Sequence, residues 1–348
     1  MSVNQGQNPY DVVRNITTGN LAALAADAQL RLLVNYALLS PSPHNTQPWS
    51  WQQSGRTVRL LADQSRLLAV SDPDARELEI GCGSALEHLL MAMAAHGIQG
   101  QASLASDHEP EELATVTLGT GEPQWCAPAG MTAARLVDAM LTRRTNRMSF
   151  ADPGVPDELL EALSGDAAAY DVLLHSVTPQ ESPELIRLIM EGDKAQMADR
   201  EFRHELAHWM RPAGTKALDG MSADLLGQKG VAAKIAPLVV RTFDMGRSQA
   251  AKDEELTGGS PTLLVIGTRE DNKASHMMCG QYLARFLLTL EAHDLAAAYM
   301  NQPCEVPELR GDVGSLVDQQ HPQLIIRVGH APARPHESVR RPLDDVLV

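Results

Sequence analysis

The chain has 348 residues, room for two domains of ordinary size. Hydrophobic residues make up 44% of it but aromatics only 4%, so Leu, Ala, Val and Met must fill the core. A formal net charge of −15 argues against non-specific binding to nucleic acid or to an anionic membrane, yet leaves room for a small basic pocket around one anionic ligand. The first thirty residues lack the basic start and apolar run of a secretory signal, and no stretch approaches the roughly 18 apolar residues of a membrane span. Cys82, Cys126, Cys279 and Cys304 form no C-x-x-C pair. Free thiols in a reducing, cytoplasmic compartment are expected.

In chain order, an amphipathic helix is expected over about 27–39. It runs into Pro41-Ser42-Pro43-His44-Asn45-Thr46-Gln47-Pro48-Trp49. That segment reads as a turn, or as a polar binding loop whose amides, Asn45 and Gln47, each offer donors and an acceptor. Residues 57–62 read as a strand, 82–96 as a helix with one apolar face, and 113–119 as a strand. Gly81-Cys82-Gly83 lacks the third glycine of a dinucleotide fingerprint, where Leu86 stands, so it reads as helix-start geometry. A helix from Thr132 ends at Arg143-Arg144. Those cations suit the helix dipole, or gather around an anionic group.

The stretch 201–256 carries Gly214, Gly220, Gly227, Gly230 and Gly246, with an apolar patch at 235–240. Its length suggests a lid or binding loop that packs down. It opens with His204-Glu205-Leu206-Ala207-His208, the H-E-x-x-H pattern that puts two zinc-ligating His on one helix face with Glu205 as base. Between Ala207 and Lys252 there is no Glu and no His besides His208, so Asp219 or Asp224 would have to complete the metal site. Beyond lie a strand at 261–267, a helix at 279–293, Tyr299-Met300-Asn301-Gln302-Pro303, a strand at 323–329 and Arg340-Arg341-Pro342-Leu343.

The two helices match without gaps at an offset of 279 − 82 = 197. Leu86 falls on Leu283, Leu89 on Phe286, Leu90 on Leu287 and Met93 on Leu290. Their flanking strands also correspond, so each half reads strand, long helix, strand, an α+β layer packing that points to duplication. The expected division is 1–128 and 129–348, with 201–256 inserted in the second part.

The 41–49 loop resembles the Pro-Ser-x-x-Asn-x-Gln-Pro-Trp loop of the nitroreductase superfamily. More narrowly, the chain resembles the Acg branch, in which two such domains are fused. That branch shares His44, Asp72-Pro73-Asp74-Ala75-Arg76-Glu77, Arg143-Arg144-Thr145-Asn146-Arg147, the 299–303 run and the 340–343 ending, in this order over about 27–348. The resemblance implies an α+β, nitroreductase-like fold in which two tandem halves form an intramolecular pseudo-dimer with FMN in the cleft between them. It implies that Arg143, Arg144, Arg147, Arg340 and Arg341 gather at the phosphate, whose geometry suits guanidinium forks. Asn45 and Gln47 then face the polyol chain and ring edge, with His44 as a further cofactor contact and Thr145 and Asn146 as ribityl contacts. Tyr299, Met300, Asn301 and Gln302 run along one ring face. They depart from the common nitroreductase pattern, and Tyr299 and Met300 read equally well as core.

The amide loop lies only in the first half and the arginine segments only in the second, so one FMN per chain is expected. The implied activity is hydride transfer from NAD(P)H to the flavin and on to a small acceptor, a nitroaromatic or quinone. The flavin carries that chemistry, so no catalytic side chain is assigned. The alternative is a protein that stores or sequesters FMN beneath the 201–256 segment. A zinc hydrolase through 204–208 is the remote third reading. Partners are a small electron donor and acceptor, with no nucleic acid or membrane, in a monomeric pseudo-dimer or weak homodimer.

Overall fold

Two four-stranded antiparallel sheets carry the molecule, a computed structural model describing residues 6–106, 111–119, 125–212, 215–222, 230–319 and 321–348. The first half opens with α1 (Pro9–Arg14), α2 (Thr18–Ala22) and α3 (Ala26–Ala37). Then come β1 (Trp49–Ser54), β2 (Thr57–Ala62), α4 (Arg76–Ala95), β3 (Gly100–Leu104) and β4 (Glu112–Leu118). After α5 (Ala133–Thr142), the second half has α6 (Asp157–Ala169), β5 (Val172–Ser176), α7 (Ser182–Ala198) and α8 (Arg200–Trp209). Two short strands, β6 (Met210–Arg211) and β7 (Met221–Ser222), precede α9 (Gly230–Thr242) and α10 (Gly246–Gly258). The chain closes with β8 (Thr262–Thr268), α11 (Lys273–Ala292), β9 (Ala296–Tyr299), α12 (Gln302–Glu305), α13 (Pro307–Val317) and β10 (His321–Gly329).

Strand order is β1-β2-β4-β3 in one sheet and β5-β8-β10-β9 in the other, so corresponding strands occupy corresponding places. The duplication expected from the helices therefore extends to sheet topology. Strands expected at 57–62, 113–119, 261–267 and 323–329 form as β2, β4, β8 and β10. In the first half β1 and β2 meet in a two-residue turn, with Gly55 at φ +57°. In the second half, the equivalent connection contains everything from α7 to α10.

The repeat helices begin earlier than expected. Asp72 accepts the Glu77 and Leu78 N–H groups at 2.9 Å each, and Asn272 forms a reciprocal capping box with Ser275. Gly81-Cys82-Gly83 consequently lies inside α4, which corrects the helix-start reading. The glycines serve the crossing of α4 with α11. A Cβ on Gly83 would penetrate the Met277 carbonyl, and one on Gly280 the Ile80 carbonyl. Position 83 maps on 280 and 80 on 277, so these are one contact repeated about an internal pseudo-twofold axis.

The first core gathers α3, α4, β1, β2 and β4, but also Leu136, Val137 and Met140 of α5 and Leu343 and Val346 of the tail. The tail also extends the sheet edge, for Trp51 N–H donates to Val346 O at 2.7 Å and Val348 N–H to Trp51 O at 3.0 Å. Segments from beyond residue 128 thus wrap the first half. A second core lies between the other sheet and α6 and α11, and a third between that sheet and α7 and α13.

The 201–256 stretch is largely helical where described, and it reaches over the first half. Glu205 accepts Val70 N–H at 2.9 Å and Ser71 N–H at 3.0 Å. Asp219 pairs with Arg66 at 2.9 Å and Arg211 at 2.7 Å. The H-E-x-x-H carboxylate is therefore committed to a loop of the first half, and among the described residues no three His, Cys, Asp or Glu side chains cluster as metal ligands. Among the same residues no helix is long and apolar enough to cross a membrane. All four cysteines are free thiols.

Candidate functional site: a buried arginine cleft

Four distant segments converge where the 43–47 loop, the end of α5, the end of β9 and the tail meet. The loop is strained: His44, Asn45 and Gln47 have φ of 48°, 55° and 52°, a region non-glycine residues enter at a cost. It is held by Gln47 N–H donating to Ser42 Oγ at 2.9 Å and by Arg66 donating to Thr46 O at 2.9 Å. Arg340 Nη1 donates to Asn45 Oδ1 at 2.9 Å. Its guanidinium also lies 5.9 Å from the Tyr10 ring centre, while Arg144 lies 5.0 Å from the same ring.

The arginines differ in how they are satisfied. Arg144 donates to Arg143 O at 2.7 Å and Leu141 O at 3.0 Å, closing the end of α5, and pairs with Glu337 at 3.3 Å. Arg340 also donates to Leu39 O and Ser40 O, at 3.2 Å each, and its Nε is buried without a partner. Arg341 takes Gln47 O at 3.2 Å and Asp345 O at 2.5 Å. Arg143 is 8% exposed overall, no described residue gives its guanidinium a hydrogen bond or a carboxylate, and its nitrogens stay open to solvent. An external anion is the natural complement of such an unpaired guanidinium.

Arg147 is exposed, and its charge reaches both His44 and Tyr299. His44 and Tyr299 are partly buried. Burial, then the Arg147 charge, pushes His44 down to about 4, and its Nδ1 is buried without a partner. The ring is therefore neutral near pH 7. Burial raises the Tyr299 phenol to about 12, against the pull of Arg143 and Arg147. His88 of α4 falls to about 3 through burial, opposed by its bond to Ser84 O, with Arg143 and Arg340 adding to the fall. His88 and Tyr10 belong to this site and escaped the sequence reading. The repeat held a signal for His88, which maps on Arg285, whereas Tyr10 precedes every recognisable motif.

The remaining expected residues hold the protein itself, and Met300, Asn301 and Gln302 do so away from the arginines. Asn45 Nδ2 donates to Gly220 O at 3.1 Å and Val339 O at 3.2 Å. Gln47 Nε2 donates to Leu218 O at 2.8 Å, while its Oε1 accepts Arg341 N–H at 2.8 Å. Thr145 bridges to Ala297. Asn146 donates from its main chain to Ala297 O at 3.0 Å and from Nδ2 to Ala333 O at 2.7 Å. Met300 is core, its N–H bound to Ile325 O at 2.8 Å. Asn301 Oδ1 accepts Ile325 N–H at 3.0 Å, and Gln302 Nε2 reaches Asp193 at 3.0 Å and Asp253 at 2.8 Å.

Two related α+β halves in one chain, with an arginine cleft between them, define a fused pseudo-dimer of nitroreductase type. No protein-family model matches the chain. It is 31% identical over 330 residues to an uncharacterised Mycobacterium tuberculosis protein, Rv3127, covering 91% of this chain and 92% of that one. It is 28% identical over 335 residues to another protein of that organism, which carries the name NAD(P)H nitroreductase acg, covering 91% and 95%. Among solved structures, it is similar to the FMN and NADPH-dependent nitroreductase NfnB of a Sphigopyxis strain, at 19% identity and TM-score 0.39 over 61% of this chain and 97% of that one. The chain belongs to the nitroreductase superfamily, in its Acg-type fused branch.

Proposed function

We propose that the chain binds FMN in the arginine cleft and works as an NAD(P)H-dependent oxidoreductase delivering electrons to a small acceptor, a nitroaromatic or a quinone. The observation that carries this is Arg143, a guanidinium that no described residue partners, in an acidic protein. A phosphate dianion at Arg143, flanked by Arg340 and Arg144, removes that deficit. The unpartnered His44 Nδ1 and the open face of Arg147 suit the polyol chain and ring edge. The name of one mycobacterial relative, NAD(P)H nitroreductase acg, supports the same reading. When bound, FMN supplies the hydride chemistry; the protein's part is to hold, orient and shield it. Neutral His44 offers a hydrogen bond without adding charge, and Arg147 stabilises negative charge facing it.

Titration of the colourless protein with FMN tests this. Arg143→Ala is expected to weaken binding about 10–100-fold, the worth of one or two charge-assisted hydrogen bonds. A chain that takes up no FMN ends the proposal.

The 215–222 strap favours a second reading, storage of FMN without turnover. Leu218 and Gly220 are hydrogen-bonded to Gln47 and Asn45, so the strap lies across the loop that borders the cleft. Anaerobic mixing with NADPH separates the two. Bleaching of the flavin within seconds supports the enzyme, and bleaching by dithionite alone supports storage.

A further inference from the structure

The H-E-x-x-H stretch of α8 presents two faces. Glu205 turns to the first half, where its carboxylate accepts Val70 N–H at 2.9 Å, and Ser71 N–H and Ser71 Oγ at 3.0 Å each. His204 and His208, one turn apart, flank Ala207 on another side of the helix. Opposite them stand Pro237, Leu238 and Arg241, which share one side of α9. These six residues line a cavity of about 360 Å³ between the two helices.

The chemistry of the lining is one-sided. Among the described residues nothing bonds the Arg241 guanidinium or the ring nitrogens of His204 and His208, and no described Asp or Glu lines the cavity. The His208 ring stands edge-on to Trp209, with ring centres 5.4 Å apart, and Arg211 covers the same indole at 5.5 Å. Each imidazole can donate an N–H in either protonation state, and the guanidinium offers a fork of donors. Two imidazoles at this spacing would suit a transition metal ion, but a guanidinium in the same wall and the lack of a carboxylate oppose a cation. They favour an anion, for which Arg241 supplies charge-assisted bonds. Ala207, Pro237 and Leu238 add an apolar wall, and the volume lies at the small end of ligand pockets, roughly 300–1,000 Å³.

We propose that the cavity between α8 and α9 binds a small organic anion, a carboxylate or phosphate monoester carried on an apolar body. Arg241 holds the charge, His204 and His208 donate to the same head group, and the apolar wall takes the body. None of these residues belongs to the arginine cleft, so the site is separate from the one proposed for FMN and does not depend on it.

Titration of the full-length protein with benzoate and with phenyl phosphate tests this. The readout is the ring C–H signals of His204 and His208 by NMR, which His204→Gln and His208→Gln identify. Both signals are expected to shift together and to saturate with at least one probe, and the probe that binds names the head group. Benzyl alcohol, a similar body without charge, is expected to move neither. Arg241→Gln is expected to weaken binding about 10–100-fold, the worth of one or two charge-assisted hydrogen bonds. Arg241 is exposed and bonds no described residue, so this variant keeps its fold. Arg143→Ala is expected to leave the shifts as in wild type. Several results overturn the proposal: neither anion moving the two signals, benzyl alcohol moving them as far, or Arg241→Gln binding as tightly as wild type. Shifts abolished by Arg143→Ala but kept in Arg241→Gln overturn it too, because they put the anion in the arginine cleft.

Discussion

Arg143 and Arg144 are neighbours of identical chemistry, and the structure gives them different work. Arg144 closes the last turn of α5 and pairs with Glu337, while Arg143 has no described partner. Arg144→Ala is therefore expected to lower stability by about 1–2 kcal/mol and to reduce FMN affinity only modestly. Arg143→Ala is expected to leave the thermal midpoint nearly unchanged, because it removes no hydrogen bond to a described residue, while affinity falls. Melting curves and FMN titrations on both variants check this, and equal losses of affinity would reject the assignment. The sequence made these arginines legible as a group, because they recur as clusters in an acidic chain. It did not reveal which one is free, since Glu337, Tyr10 and the tail come from far along the chain. Asn45 and Gln47 show the same limit: the loop was readable, but not that the strap and tail take up its amides.

At the scale of elements, the junction of the halves rests on α4 against α11, and the hydrophobic phase of both helices was legible from the repeat. The meaning of the glycines was not, because close approach is a property of two helices together. Gly83→Ala is expected to cost about 1–3 kcal/mol or more, since backbone must shift to admit the methyl. Gly311→Ala, on α13 with open space around it, is expected to stabilise by up to about 1 kcal/mol. Denaturant unfolding of both reads the contrast, and a neutral Gly83→Ala would refute the tight crossing. Strands β1, β3, β5 and β9 stayed hidden, being short, partly polar edges that sheet pairing stabilises more than local pattern does. The same junction holds a proton-linked clamp, for His276 bonds Glu79 at 2.7 Å and Asp271 at 2.9 Å. Burial opposes the imidazolium, but both carboxylates outweigh it and raise its pKa. Its contribution is therefore complete below the unfolded value of about 6.5 and is lost as pH rises through the raised folded value. Thermal midpoints should fall with rising pH above that point, and less steeply in His276→Gln.

The pseudo-twofold axis gives the whole molecule two related ends, and their charges differ in a way that favours the first for the proposed cofactor. At the first end His88 of α4 lies near Arg143 and Arg340, the one with no described partner and the other with a buried, unpartnered Nε. At the other end position 88 + 197 = 285 is Arg285, and its charge is already answered. Asp166 holds it at 2.6 Å and Glu87 at 3.1 Å, with Trp125 and Tyr170 packed at 5.1 and 5.2 Å from the guanidinium. An anion arriving there would have to displace two buried carboxylates, and either would be left unpaired in the interior. The asymmetry of the motifs is the ground for expecting a single site, whereas the filling of its counterpart by Glu87 and Asp166 is a tertiary fact. Saturating titration, read by flavin absorbance against protein concentration, is expected to reach one FMN per chain. Two per chain would mean that the Arg285 cluster opens, and the charge argument for a single site would fail with it.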